Sequence, residues 1–309
     1  LVHTPDPFLR PILEERSLSV LEVLSQKERR GVYLVSDPTA AQPRILKVNK
    51  VFPAKLRREA TFLRLAARQD LLQLKVPALY GEGEGWMLIE RLDLTHYTRD
   101  TVLEKNWDRE EVHRWIAALR EFQEIPQPPA DFSRKEKLKG ALYPLVRMLE
   151  MRKAVNAGLT AGQRLRLGGM LLRYLLYRPF VRLVTTHYDL NTFNFTNEKG
   201  SDKLLMIDFE AGAFRGDSLY DLLYYLTLPT VSLEDWTFQR DLLSAWIGTF
   251  GKGERCLSAR LRLLLVVLSL QRIQRFHDDP DKAQAYQRNF ELLFDDRRYR
   301  QWRDELFSM

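Results

Sequence analysis

Two fragments constrain this chain more than any other stretch: His187-Tyr-Asp-Leu-Asn-Thr-Phe-Asn194 and, a little further on, Leu204-Leu-Met-Ile-Asp-Phe-Glu210. Helical patterning stops before Leu183-Val-Thr-Thr186, an extended run that leads into the first fragment. Phe193–Thr196 and Lys203–Ile207 then read as two short strands about the polar turn Asn197–Asp202. Such a hairpin fixes the distance between Asn194 at one end and Asp208 at the other, and rigid elements hold ligand groups better than free loops do. Any fold of this chain must therefore present two carboxylates and an amide from one short loop and one strand end.

That set of groups suits phosphoryl transfer, which depends on positioning and charge neutralisation more than on covalent chemistry, with Mg²⁺ supplying much of the neutralisation. Hard cations take oxygen ligands, so the Asp208 carboxylate and the Asn194 amide oxygen are the expected Mg²⁺ ligands. Asp189 is the expected catalytic base, orienting the attacking hydroxyl or accepting its proton. His187 is expected to brace the loop.

Upstream, Leu18–Leu24, Gly31–Val35 and Arg44–Val48 alternate as strands, Pro53 opens a helix to about Arg68, and Val76–Gly81 and Trp86–Glu90 read as two further strands. This predicts a sheet of about five strands ending near Arg91-Leu-Asp93. Lys47, near the end of the third strand, is the candidate phosphate clamp. Glu59, beside the helix's apolar stripe, is the only acid between Lys47 and Asp70 and hence its expected ion-pair partner. The segment Ser25–Gly31 carries a single glycine where a glycine-rich phosphate loop would have several, so Lys27, Arg29 or Arg30 would have to meet phosphates with side chains. Downstream the pattern is helical over Asp108–Gln123, Lys135 to about Val155, and Ala161–Tyr177. A helix is expected to open at Gly216-Asp-Ser218, with Asp217 as its N-cap and Asp221 in its first turn.

Composition narrows the partners. With 309 residues and 45% apolar content the chain can bury a large core. The formal charge of +7 favours anionic partners: a nucleotide, an acidic glycan or a lipid headgroup, so peripheral membrane contact is compatible with it. Basic residues are spread over helices without a compact aromatic-interleaved block, so nucleic acid is not expected. The one cysteine, Cys256, excludes an internal disulfide framework, and residues 1–15 show no secretory pattern; a cytoplasmic location is expected. The longest mainly apolar stretch, Leu257–Phe276, is broken by four arginines and reads as a buried helix rather than a membrane span. Oligomeric state is not encoded legibly.

The first fragment fits the protein-kinase catalytic-loop pattern H-R-D-L-x-x-x-N except at Tyr188, and the second supplies its downstream Asp-Phe. The run from Asp208 to Asp221 is too short for a long activation segment, and the Arg that would read that segment's phosphate is absent. The chain resembles instead the aminoglycoside phosphotransferase and choline kinase superfamily, whose H-x-D-x-x-x-x-N loop, I-D-[FW]-E and G-D-x-x-x-D-like helix start stand here as His187/Asp189/Asn194, Ile207–Glu210 and Gly216-Asp217…Asp221. It departs at Asn191, often His in such families, and at Thr192-Phe193 in place of Pro-Gly. The resemblance implies an α+β, bilobal protein-kinase-like fold with a small β-rich nucleotide-binding lobe (1–91) and a larger, mostly helical catalytic and acceptor-binding lobe (92–309). It implies ATP or GTP between the lobes, adenine against the connecting segment Ile89, Glu90 and Leu92, the pair Lys47–Glu59, Mg²⁺ on Asn194 and Asp208, and Asp189 as base. The acceptor would be a hydroxyl of a small molecule: a sugar, amino sugar, aminoglycoside-like compound or amino alcohol. An acidic pocket for a polycation could draw on Asp278, Asp279, Asp281, Asp295 or Asp296. Two alternatives stand beside this reading: a pseudokinase or nucleotide-binding scaffold, suggested by the segment 25–31, and a kinase of cell-envelope glycans or lipid-linked sugars.

Overall fold

Apolar alternation after Ser17 produces β1 (Ser19–Lys27), β2 (Arg30–Ser36) and β3 (Arg44–Asn49), and the later strands β5 (Leu79–Gly83) and β6 (Trp86–Glu90) complete an antiparallel five-stranded sheet of order β1-β2-β3-β6-β5. The computed structural model describes residues 7–95, 109–126, 142–151, 159–198, 200–227, 232–249, 256–276 and 278–308. Two compact units result, one of residues 1–96 with 194–212, the other of residues 97–193 with 213–309.

In the first unit Tyr33, Val35, Leu46, Val48, Trp86 and Leu88 of the sheet pack with Leu9, Ile12 and Leu13 at the short helix α1 (Arg10–Arg16). Helix α2 (Pro53–Ala66) begins with proline at its first position, where the missing N–H costs nothing, and buries Leu56, Ala60, Phe62 and Leu63. β1 and β2 run on to Lys27 and Arg30, so the expected loop 25–31 is reduced to the tight turn Glu28-Arg29, with Arg29 at φ 55°. The strand expected at Val76–Gly81 lies at Leu79–Gly83. Just before it, β4 (Leu74–Lys75) joins a second sheet with β7 (Leu94–Thr95), β9 (Phe195–Glu198) and β10 (Leu204–Met206), in the order β4-β10-β9-β7. The hairpin read from sequence is this β9–β10 pair, in register Met206↔Phe195.

The second unit is helical: Arg109–Glu124, Tyr143–Glu150, Ala161–Tyr177, Tyr220–Leu226, Phe238–Thr249, Leu257–Arg275, Pro280–Phe294 and Asp296–Ser308. Of the helix expected over 135–155, residues 142–151 are described and hold Tyr143–Glu150; the rest lies outside the described residues. Helix Leu257–Arg275 is buried along most of its length, as expected. Among the described residues no helix is long and apolar enough to cross a membrane.

One expectation is corrected. No helix opens at Gly216, because residues 213–217 pair antiparallel with β8 (Leu183–Thr186) as strand β11 (Ala213–Asp217), and the helix starts only at Tyr220. A Cβ at Gly216 would overlap the Thr186 hydroxyl, so this close pairing requires glycine. Asp217 is accordingly not an N-cap. It sits fully buried, accepting from the Leu219 N–H (3.0 Å), the Tyr174 hydroxyl (3.2 Å) and Arg260 Nε (3.1 Å), with Arg260 Nη2 on its other oxygen. Burial pushes the Asp217 carboxyl up, but Arg260 outweighs it and holds the group below the ordinary carboxylate value.

Breaking a fully buried ion pair on one side leaves an uncompensated charge. Arg260→Met is therefore expected to lower the unfolding free energy by about 3–5 kcal/mol. The double variant Asp217→Leu/Arg260→Met should recover much of that loss; urea denaturation of both measures it.

Candidate active site

Each unit carries its own set of the residues singled out by sequence. In the first, Lys47 on β3 reaches α2 and the turn after β10 together: its ammonium donates to Glu59 at 2.8 and 3.1 Å and to Asp208 Oδ1 at 2.8 Å. Burial pulls the lysine down, yet the Glu59 and Asp208 carboxylates outweigh it and hold it above the ordinary lysine value, so it stays charged. Burial pushes Glu59 up to about 7 against the pull of Lys47, with Asp208 and Glu210 adding to the rise.

Asp208 adopts a left-handed backbone, φ 63°, while the next residue, Phe209, is buried and stacks on Phe62 of α2 at 4.1 Å. The Asn194 carbonyl accepts from the Ile207 N–H at 2.9 Å, which ties the two ends of the hairpin. Carboxylate oxygens of Glu59, Asp208 and Glu210 lie within 4.8 Å of one another. This is a hard-oxygen donor set of the kind Mg²⁺ takes, and the Asp208 side chain is 44% exposed, open to a further ligand. Glu210 was not singled out as a ligand from sequence; its place two residues after Asp208 was the available signal.

A cavity of about 210 Å³ opens beside Lys47, lined also by Lys27, Arg30 and Glu210. Three cations facing one small cavity suit a polyanion, and two of them stand at the tight hairpin end where a glycine loop is missing. Of the residues expected near adenine, Ile89 is buried in β6, Glu90 accepts from the Ala78 N–H at 3.1 Å and pairs with Lys75 at 3.4 Å, and Leu92 follows the strand's end half-buried.

In the second unit Asp221 organises the loop after β8. Its two carboxylate oxygens accept from the main-chain N–H groups of His187 (2.7 Å) and Tyr188 (2.9 Å). The sequence offered it as a first-turn acid and as the last residue of the family's G-D-x-x-x-D pattern, without this role. Tyr188, where protein kinases have Arg, is buried at φ 62°, stacked on Tyr143 at 3.7 Å and edge-on to Tyr220 at 5.0 Å. Asp189 follows, its Oδ1 accepting from the Tyr224 hydroxyl at 2.8 Å and from Asn191 Nδ2 at 3.3 Å. Tyr224 was missed, although it lies one helical turn beyond Tyr220 and Asp221. Asn191 also accepts from the Phe193 N–H at 2.8 Å, so it closes the loop locally.

Three of the five candidate acids for a polycation have other partners. Asp279 caps helix Pro280–Phe294 and pairs with Lys282, Asp295 accepts from the Arg297 and Arg298 N–H groups, and Asp296 pairs with Arg262.

A β-rich sheet unit and a helical unit of this kind make a protein-kinase-like α+β fold. The chain belongs to the phosphotransferase enzyme family, APH, whose model matches residues 20–264. Among solved structures it is similar to a streptomycin–ATP–APH(2")-IIa ternary complex (TM-score 0.57, 15% identity, 100% of this chain and 98% of that one). It is also similar to a Plasmodium vivax ethanolamine kinase (0.56, 12%, 93% and 84%) and a Cryptosporidium parvum choline kinase (0.52, 13%, 98% and 93%). At such identities the likeness is one of fold. A search of curated proteins finds no match.

Burial pushes Asp221 up to about 7, above its ordinary carboxylate value, against the two main-chain donors. The folded state then holds a proton that the unfolded chain has already released, so stability from this group is full below about pH 4 and is lost as pH rises toward 7. Asp221→Asn should flatten the dependence of Tm on pH between those limits, as differential scanning calorimetry would show.

Proposed function

We propose that the protein transfers the γ-phosphoryl group of ATP, with Mg²⁺, to a hydroxyl of a neutral or anionic small molecule, a sugar or sugar derivative in preference to a polycation. The observation that carries this reading is Lys47, held charged between Glu59 and Asp208 on the wall of a cavity shared with Lys27 and Arg30. Lys47 would clamp the nucleotide's phosphates, with Lys27 and Arg30 supplying from side chains the contacts that a glycine-rich loop makes with backbone amides. Asp208, with Asn194 and Glu210, would hold Mg²⁺, which neutralises phosphate charge. The relative solved with ATP and streptomycin supports the choice of nucleotide.

Asp189 would accept the hydroxyl proton. Tyr224 fixes one of its oxygens, and Asp221 fixes the backbone that presents it. The preference for a neutral or anionic acceptor rests on the aromatic side chains around Asp189. Arg272 already lies over the Tyr224 ring at 4.5 Å and Arg147 over Tyr143 at 5.7 Å, so these rings face cations of the protein's own.

The test is ATP turnover with Mg²⁺ over a panel of sugars, sugar phosphates, amino sugars, amino alcohols and aminoglycosides. Asp189→Asn should lower kcat by about a thousandfold with the nucleotide KM little changed. Lys47→Ala should raise that KM, and chelation should stop turnover until Mg²⁺ is restored. Wild-type kcat in Asp189→Asn would remove the proposed base, and turnover confined to aminoglycosides would overturn the acceptor class. Stabilisation by Mg-ATP without consumption by any acceptor would favour a nucleotide-binding scaffold.

A further inference from the structure

Helix Ala161–Tyr177 is amphipathic the wrong way round. Leu167 and Tyr174, seven residues apart, are its buried contacts, whereas the opposite side presents Leu165 (79% exposed), Leu172 (59%) and Leu176 (63%). Phe180, just past its end, is 57% exposed. Gly162, Gly168 and Gly169 share the outward side with the leucines, and a Cβ built at each meets nothing within 4 Å. Single exposed leucines are ordinary, but a row of them on the solvent side of one helix marks a surface meant to be covered.

Charge identifies the cover. From Leu159 to Leu183 the sequence contains no Asp or Glu, and Arg164 and Arg173 flank the leucine row on its two sides. Beyond Arg173 lies a cavity of about 700 Å³ lined by Arg173, Tyr177, Arg262, Asp296, Arg300 and Arg303, four cations to one acid. An apolar strip edged by arginines and bordering a cationic recess matches the boundary of an anionic bilayer, with acyl chains against the leucines and headgroup phosphates against the arginines. A second copy of the chain would bring the same positive charges to the contact and repel.

We infer that helix Ala161–Tyr177 is a membrane-surface docking element that seats the protein on anionic phospholipid through Leu165, Leu172 and Leu176, with headgroup phosphates at Arg173 and the adjoining recess. This does not depend on which acceptor is phosphorylated. In sedimentation of the full chain with vesicles, it should partition into phosphatidylcholine containing phosphatidylglycerol and not into phosphatidylcholine alone. Leu165→Ser/Leu172→Ser/Leu176→Ser should weaken this partition by on the order of a hundredfold. Because these side chains are exposed, the thermal melt of the variant should match the wild type. Arg173→Glu should weaken binding to the anionic vesicles and reduce its sensitivity to salt, because one electrostatic contact is lost. Failure to bind phosphatidylglycerol vesicles, or binding undiminished in the leucine variant, would overturn the inference. So would a wild-type dimer in light scattering that the leucine variant abolishes, since the row would then be covered by a second copy.

Discussion

The Lys47 ammonium is the constraint on which the first unit depends. A charge at that depth is tolerable only when paired and hydrogen-bonded, and the pairing joins three separate elements: β3 supplies the lysine, α2 supplies Glu59, and the turn after β10 supplies Asp208. Satisfying the lysine therefore sets the position of α2 against the sheet and of the hairpin end against both. The stack of Phe209 on Phe62 adds an apolar contact to the same junction. Glu59, Asp208 and Glu210 bring three carboxylates against Lys47 and, at 3.8 Å from Glu210, Lys55, which leaves the cluster one carboxylate in excess beside a cavity lined by Lys27 and Arg30.

The second unit solves a different problem, holding an irregular loop in one conformation. A non-glycine residue in the left-handed region costs on the order of 1–3 kcal/mol and persists only where its surroundings over-determine it. At Tyr188 those surroundings are explicit: Asp221 takes the N–H groups of Tyr188 and its neighbour, Tyr143 and Tyr220 enclose the ring, and Gly216 leaves room at the β8–β11 contact. Two aspartates on one short stretch divide the work. Asp217, through Arg260, anchors it to the long buried helix, and Asp221 carries the anchoring to the backbone before Asp189.

Much of this was legible in the sequence because it is carried by local pattern. Strand alternation located the sheet, and the spacing of Lys47 and Glu59 anticipated a pair that forms. The hairpin between Asn194 and Asp208 was read from its flanking apolar runs. What escaped depends on contacts between segments distant in the chain. Gly216-Asp-Ser218 looks like a helix start to any local rule, and only the partner strand at Leu183–Thr186 converts it to β11. Tyr224 and Asp221 have no local signature of their roles, since both act on a loop that precedes them by more than thirty residues. The segment 25–31 was read as a weak glycine loop, whereas the strands continue through it to leave a two-residue turn.

That tight turn alters how phosphate can be met. Backbone amides in a glycine-rich loop offer fixed dipoles at close range, while Lys27 and Arg30 offer full charges on long, rotatable stems. Such side chains supply stronger long-range attraction but lose rotamer freedom when they engage a ligand, so phosphate binding through them would lean on charge more than on shape. In the second unit arginines lie over Tyr143 and Tyr224, and Asp279, Asp295 and Asp296 are engaged as a helix cap, by main-chain donors or in ion pairs. In the cavities beside Lys47 and beside Arg173 cations outnumber acids, an arrangement that suits anionic ligands.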